Sequence, residues 1–295
     1  MTGPVLIIGC GDIGARVAAG CVARGDSVSA LARSAARIPA LQAMGAAIVP
    51  GDLDDAASLT KLPTRHALLY YFAPPPEQGN TDPRIGRFLR AVTASALPHK
   101  IVYISTSGVY GDHQGGWVDE DTPPNPQTAR AKARLDAETQ LLVWGRMYAV
   151  PVVILRVGGI YGPGRLPVER LRQGGPVLRR EEASFTNRIH ADDLAQVCIA
   201  AAEHGAVGCI YNVCDGEHST MTDYFNAVAD WLGLARPPQI TLAEAQHVLS
   251  AGMLSYLHES RRMDNRRMRE ELGVRLLYPT LEQGLMSCAG DTAPG

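Results

Sequence analysis

Lysine is nearly missing from this chain: of 28 basic residues only Lys61, Lys100 and Lys132 are lysines. Aromatic residues are also sparse at 6%, with four phenylalanines and three tryptophans. Neither sign of charge prevails, since 28 Lys+Arg face 30 Asp+Glu for a formal net charge of −2. That balance argues against nucleic acid as a partner, because such affinity rests on neutralising phosphates. No apolar run approaches the ~20 residues that cross a bilayer, which argues against a membrane protein. The early run Val5-Leu6-Ile7-Ile8 is short and has no basic flank before it, unlike a secretory signal. Six cysteines (Cys10, Cys21, Cys198, Cys209, Cys214, Cys288) form no C-x-x-C pair and have no His at metal-ligand spacing. They read as small buried apolar groups in a reducing, cytoplasmic setting, with no metal site.

What is present fits an α/β enzyme-sized domain. The 295 residues, 46% hydrophobic, suffice for one large domain or a domain with a smaller lobe. Short β-like runs alternate with helical patterns over the first 160 residues, as in a doubly wound parallel sheet wrapped by helices. Strands are expected at Pro4–Ile8, Ser27–Leu31, Ala46–Val49, Ala67–Phe72, Lys100–Ser105 and Val152–Leu155. Several are continuous apolar runs, the pattern of strands buried on both faces. Helices are expected at Asp12–Arg24, Ala35–Met44, Arg84–Ala96 and Thr128–Tyr148, with a turn near Asp55–Leu59. Gly25 and Gly45 follow two of these helices as C-terminal caps. Beyond Val157 the rhythm loosens into a Gly/Pro- and Arg-rich stretch from Gly158 to Arg180. Further helices are expected at Ala191–Glu203, Thr222–Leu232 and Leu242–Ala251, with a strand at Cys209–Val213. Residues 1–157 therefore read as a Rossmann domain and 158–286 mainly as a smaller C-terminal lobe. The last sheet elements, at about 188–213, interleave with that lobe, and 287–295 form a frayed tail.

The first chemical signal is Gly9-Cys10-Gly11-Asp12-Ile13-Gly14, a G-x-G-x-x-G run between a strand and a helix. In a βαβ setting the first glycine makes the turn and the second lets pyrophosphate approach the backbone. The third lets helix and sheet pack closely. The helix N-terminus adds amide donors and its positive dipole end. The competing reading is a plain tight turn. Cofactor choice is read at the end of the second strand, where NAD sites place an acid about 20 residues on. Here the segment is Val28-Ser29-Ala30-Leu31-Ala32-Arg33-Ser34, with an Arg and no acid. A guanidinium and a hydroxyl suit a 2′-phosphate, so Arg33, Ser34 and Arg37 point to NADP, with NAD the alternative.

Further segments strengthen this reading. They are Gly51-Asp52-Leu53, Ile101 to Gly111 (IVYISTSGVYG), Leu155 to Arg165 (LRVGGIYGPGR), Arg188 to Leu194 (RIHADDL) and Tyr211 to Asp215 (YNVCD). Together they resemble the extended and atypical short-chain dehydrogenases/reductases, the NAD-dependent epimerase/dehydratase family. The region around Asn265-Arg266-Arg267 and Glu271-Leu272-Gly273 is similar to a bacterial atypical subgroup. The resemblance implies that Asp52 and Leu53 lie beside the adenine and that Ala73 with Pro74 closes over the cofactor. Ser105 would touch the cofactor, and the loop after Arg156 would border the nicotinamide. For Arg188, His190 and Asp193 a helix-capping role is preferred to catalysis.

The resemblance also implies a hydroxyl at the end of the fifth strand, matched by Thr106, and a Y-x-x-x-K motif on the next helix. Lys132 stands at the lysine position and would orient the nicotinamide ribose, but Thr128 replaces the tyrosine. A phenol titrates near ~10 and an aliphatic hydroxyl near ~15.7, a gap of roughly 8 kcal/mol. Thr128 can therefore only position a water. Tyr110 and Tyr161 are alternative phenols, and Asp112, His113 and Asp119 follow Tyr110. Nucleotide-sugar enzymes of the family carry an Arg three residues before the Ile of the Ile-His pair. Thr186 stands there in this chain. The Arg-rich stretch Arg165, Arg170, Arg172, Arg179 and Arg180 offers an anion site, against the preferred reading of a solvated face paired with Glu169, Glu181 and Glu182.

Two functions follow. The favoured one is an oxidoreductase or epimerase/dehydratase-like enzyme, monomeric or homodimeric, moving hydride to or from a small carbonyl or hydroxyl substrate. The other is a dinucleotide-binding sensor or scaffold that has lost catalysis.

Overall fold

The computed structural model describes residues 3–33 and 35–292. Seven strands form one parallel sheet: β1 (Pro4–Ile8), β2 (Ser27–Ala32), β3 (Ala47–Pro50), β4 (Leu68–Tyr71), β5 (Lys100–Thr106), β6 (Val152–Val157) and β7 (Ile210–Val213). Their spatial order is β7-β6-β5-β4-β1-β2-β3, the doubly wound order with a seventh strand added beyond β6. The apolar strand runs have a direct cause. Val5 and Ile7 of β1 enter the core on one face of the sheet, while Leu6 and Ile8 enter the core on the other. Helices α1 (Asp12–Ala23), α2 (Ile38–Ala43), α3 (Pro83–Ala91), α4 (Ala129–Tyr148), α5 (Val168–Arg172), α6 (Ala191–His204) and α7 (Met221–Leu232) follow in chain order. α1 and α6 cover the first face, and α3 and α4 cover the second.

Some helices stop earlier than their patterns suggest. The helix expected through Ala96 ends at Ala91, because Val92 turns extended (φ −78°, ψ 113°) and only a short 3-10 turn resumes at Ala94–Ala96. The helix expected from Leu242 to Ala251 ends at Val248. Leu249 is extended, and the Ser250 hydroxyl accepts from Met253 N as a second helix, Ala251–Leu257, begins. Gly25 and Gly45 sit at φ +84° and +93°, the left-handed geometry their capping positions require.

A smaller core, built on Tyr161, Leu171, Phe225, Val228, Leu281 and Leu285, lies in the C-terminal lobe. The expected fraying from residue 287 does not hold at Ser287 and Cys288. Cys288 is fully buried in that core, and Ser287 Oγ lies 2.9 Å from His190 Nε2. Residues 293–295 lie outside the described part. Asp193 joins sheet domain and lobe by accepting from Leu277 N (2.6 Å) and Tyr278 N (3.0 Å), while His190 Nδ1 caps α6 at Asp192 N. Among the described residues no helix is long and apolar enough to cross a membrane.

Among the described residues the most deeply buried ion pair joins Glu138 of α4 to Arg156 of β6, with side chains 2% and 3% exposed. Arg156 Nη2 donates to Glu138 Oε2 at 2.8 Å, and Ser105 of β5 donates its hydroxyl to the same carboxylate. Removing one partner of such a pair strands the other in a low-dielectric interior. Glu138→Ala is expected to lower stability by about 3–5 kcal/mol in urea unfolding. A loss below about 1 kcal/mol would show that the pair does not hold the helix to the sheet.

Candidate functional site

Two cavities open along the C-terminal edge of the sheet. The first, about 400 Å³, lies over the β1–α1 turn and is walled by Gly9, Gly11, Arg33, Asp52, Leu53 and Pro74 among others. Gly9 has φ +95°, and a Cβ there would lie 2.4 Å from Ala73 N. Ala73 stands against this turn, and Ala73 and Pro74 line the cavity. A Cβ on Gly14 would meet Gly9 O at 2.5 Å, so that glycine permits the close approach of α1 to the turn. A Cβ on Gly11 would meet nothing within 4 Å, so the space above it is open to a ligand. Gly11 caps α1 without a side-chain hydrogen bond, which leaves the first amides for an anion. Ile13 is buried and faces the core, so its side chain serves packing. These residues fit a dinucleotide's pyrophosphate.

Asp12 places a carboxylate at this anion-binding end. Burial opposes its ionisation, but Arg165 (2.7 Å) and Arg16 (2.9 Å) more than offset that and hold its carboxyl below the usual range. The two guanidiniums also screen its charge. Arg33 is largely exposed, 3.7 Å from Asp52, and Arg37 reaches Cys10 O at 3.5 Å. Arg84 borders the same cavity, tied to Asp54 at 2.6 Å and Pro74 O at 3.1 Å. Ser34, the other expected phosphate ligand, lies outside the described residues.

The second cavity, about 480 Å³, lies between the ends of β5 and β6, the start of α4 and the lobe. Thr106 and Ser105 both border it, as does the loop after Arg156, from Val157 to Tyr161. Thr106 Oγ1 accepts from Gly108 N at 3.2 Å, which leaves its proton to donate toward the cavity. Ser105 gives its proton to Glu138.

The structure corrects the remaining catalytic assignments. Lys132 is exposed and borders neither cavity. The α4 residues that border the cavity are Arg130, Ala131 and Arg134, because Glu138 four residues beyond Arg134 turns that stripe toward the sheet. Arg134 Nη1 donates to Ile104 O (2.8 Å) and Tyr103 Oη (3.2 Å), which fixes a guanidinium where Lys132 was expected. Thr128 reaches the cavity rim, but its hydroxyl accepts from Ala131 N at 3.2 Å as the N-cap of α4. Tyr110 is fully buried, donates to Asn212 Oδ1 at 2.7 Å, and is pushed up to about 12 by burial against the pull of Arg156. Its phenol lies in the core, off the cavity. Tyr161 borders the cavity, yet burial raises its phenol well above the ordinary value and its hydroxyl points to Thr280 O at 3.4 Å.

Three of the five arginines in the Arg-rich stretch are engaged elsewhere. Arg165 holds Asp12, Arg170 donates to Pro176 O and lies over Phe225, and Arg180 pairs with Asp223. Sequence reasoning missed Arg134, the Glu138–Arg156 pair and Arg261, a buried arginine bordering the second cavity and paired with Glu259 at 2.9 Å. The available signal was Glu138 itself, an acid standing in the buried stripe of a helix four residues after an arginine.

Two predictions test this geometry. Gly11→Val should keep the wild-type Tm while weakening dinucleotide binding at least about tenfold by calorimetry, and Lys132→Ala should change that affinity less than about twofold. A large loss in Lys132→Ala would restore the lysine to the site. The second prediction concerns Asp215, which is buried and pushed up to about 7 by that burial, against the pull of Arg188. A carboxyl raised in the folded state binds more protons folded than unfolded, so its contribution destabilises progressively from about pH 4 to pH 7. Asp215→Asn should raise Tm at pH 8 and leave it nearly unchanged at pH 4. Equal shifts at both pH values would refute the assignment.

Comparisons with known proteins agree with this geometry. A profile of the NAD dependent epimerase/dehydratase family matches residues 5–214. The chain is 29% identical over 283 residues to protein YeeZ of Escherichia coli K12, covering 93% of this chain and 96% of that protein. It is also 29% identical over 310 residues to a 3-diazoavenalumate denitrifying reductase of Streptomyces, covering 95% and 98% of the two chains. A solved structure of a conserved protein of unknown function from Silicibacter pomeroyi superposes with TM-score 0.82 at 30% identity, covering 99% of this chain and 100% of that one. The dTDP-glucose 4,6-dehydratase of Bacillus anthracis, solved with NAD, shares the fold at TM-score 0.78 and 19% identity, over 97% and 95% of the chains. The chain belongs to the NAD-dependent epimerase/dehydratase family, the nicotinamide-dinucleotide-dependent oxidoreductases and epimerases of the short-chain dehydrogenase/reductase class.

Proposed function

We propose that this protein is an NADP-preferring oxidoreductase that moves hydride to or from a small carbonyl or hydroxyl substrate seated beside Thr106. The observation that carries the cofactor choice is the arginine-rimmed mouth of the first cavity. Arg33, Arg37 and Arg84 border it, and Arg33 is largely exposed, its guanidinium 3.7 Å from the Asp52 carboxylate. A guanidinium there matches a 2′-phosphate, whereas a ribose 2′-hydroxyl calls for an acid. Bound nicotinamide supplies or accepts the hydride. The chain's own residues do the rest: Thr106 donates a hydrogen bond to the substrate oxygen, and Arg134 fixes positive charge on the same wall. Such preset donors favour charge developing on that oxygen.

The cavity face of α4 carries no phenol. That observation favours the second reading, a dinucleotide-binding sensor or scaffold. The two readings separate by titration and turnover. NADPH should bind at least about tenfold more tightly than NADH, and Arg33→Ala should remove most of that preference while leaving NADH within about twofold. Equal wild-type affinities would overturn the NADP assignment. Carbonyl-dependent loss of NADPH absorbance supports the enzyme, while tight binding without turnover across a broad carbonyl panel supports the scaffold.

A further inference from the structure

Arg188 is 4% exposed and borders the second cavity. Its fork is held by neutral groups: Nη1 donates to Thr186 Oγ1 at 2.5 Å and Nη2 donates to Ser219 Oγ. Its Cζ lies 5.1 Å from the centre of the Tyr224 ring, and Nε is buried without a partner. Among the described residues no carboxylate lies within 4 Å of it. The other two buried arginines near this cavity each have a counter-ion, Arg156 with Glu138 and Arg261 with Glu259.

A guanidinium stays charged at any relevant pH, and a buried charge without a partner is costly. Asp215 pulls on it without forming an ion pair within 4 Å. Asp215 N donates to Arg188 O, but its carboxyl, pushed up to about 7 by burial, is only part-ionised near neutrality. The cavity wall carries Arg134, Arg188 and Arg261, with Glu259, the partner of Arg261, as the carboxylate that borders it. We infer that the second cavity recognises an anionic substituent of the substrate, a carboxylate or a phosphate ester, through the fork of Arg188. The inference rests on reading this cavity as the substrate site. It moves anion recognition away from Arg165, Arg170 and Arg180, whose side chains bind Asp12, Pro176 O and Asp223 instead. The cofactor's pyrophosphate does not take this place, because Gly11 and the start of α1 belong to the other cavity.

The test titrates benzoate and inorganic phosphate separately into the full-length protein, with and without saturating NADP, by calorimetry. One probe should bind the wild type, which tells carboxylate from phosphate. Arg188→Met should weaken that binding at least about tenfold, and Arg188→Lys, with charge but no fork, by about fivefold. Arg180→Ala, on an exposed side chain, should leave it unchanged. Failure of both probes to bind, or wild-type affinity in either Arg188 variant, overturns the inference; if the Met variant does not fold, the Lys variant decides. Anion binding needs no hydride transfer. A protein that binds benzoate through Arg188 yet never oxidises NADPH refutes only the proposed activity. One that turns over carbonyls with no Arg188-dependent anion binding refutes only this inference.

Discussion

The carboxylate of Glu138 sets the geometry of the site. It accepts from Ser105 on β5 and from Arg156 on β6 while sitting on α4, so a single buried group ties three elements together. A helix anchored in this way cannot rotate about its axis without breaking a buried charge pair. At about 100° per residue, Arg134 lies about 40° from Glu138 around the helix and Lys132 about 120° away. The anchor therefore decides which side chains of α4 reach the second cavity. It presents Arg134 and Ala131 to the ligand space and sends Lys132 to solvent.

This explains which features were legible in the sequence. Strands and their order follow from local composition, since residues such as Val5, Leu6, Ile7 and Ile8 can alternate only between two buried faces. The glycine turn was legible because its chemistry lies within six consecutive residues, with Gly9 held against Ala73. Rotation of α4 was not legible, because its anchor pairs residues 18 and 33 positions away. Tyr110 was misread for the same reason: its hydroxyl partner, Asn212, lies 102 residues on. The tail was misread because Cys288 fills a core assembled from Tyr161, Phe225 and Leu285. A lone cysteine near a chain end carries no local mark of that.

The two cavities are coupled through charge. Asp12 would repel a dinucleotide's phosphates from the N-terminus of α1 if it stood alone. Its partners are Arg16, which also reaches Asp192 at the start of α6, and Arg165, which comes from the loop after the second cavity's wall. Arg165 therefore bridges the segment that borders the substrate side to the turn that faces the cofactor. Displacing that segment would uncover the Asp12 carboxylate at the place where phosphate binds.

Arg156 and Arg188 show how burial separates scaffold from recognition. Both are nearly inaccessible and both lie near an aromatic ring, Tyr110 for the first and Tyr224 for the second. Arg156 finds its counter-charge inside the protein, so its charge is balanced without any ligand. Arg188 meets hydroxyls, which orient a guanidinium but do not neutralise it. Replacing Ser219 or Thr186 by an acid would satisfy the charge internally and close the fork to an incoming anion. The neutral hydroxyls keep the fork positioned while leaving its charge for a ligand, and that difference in partners assigns one arginine to the fold and the other to the cavity.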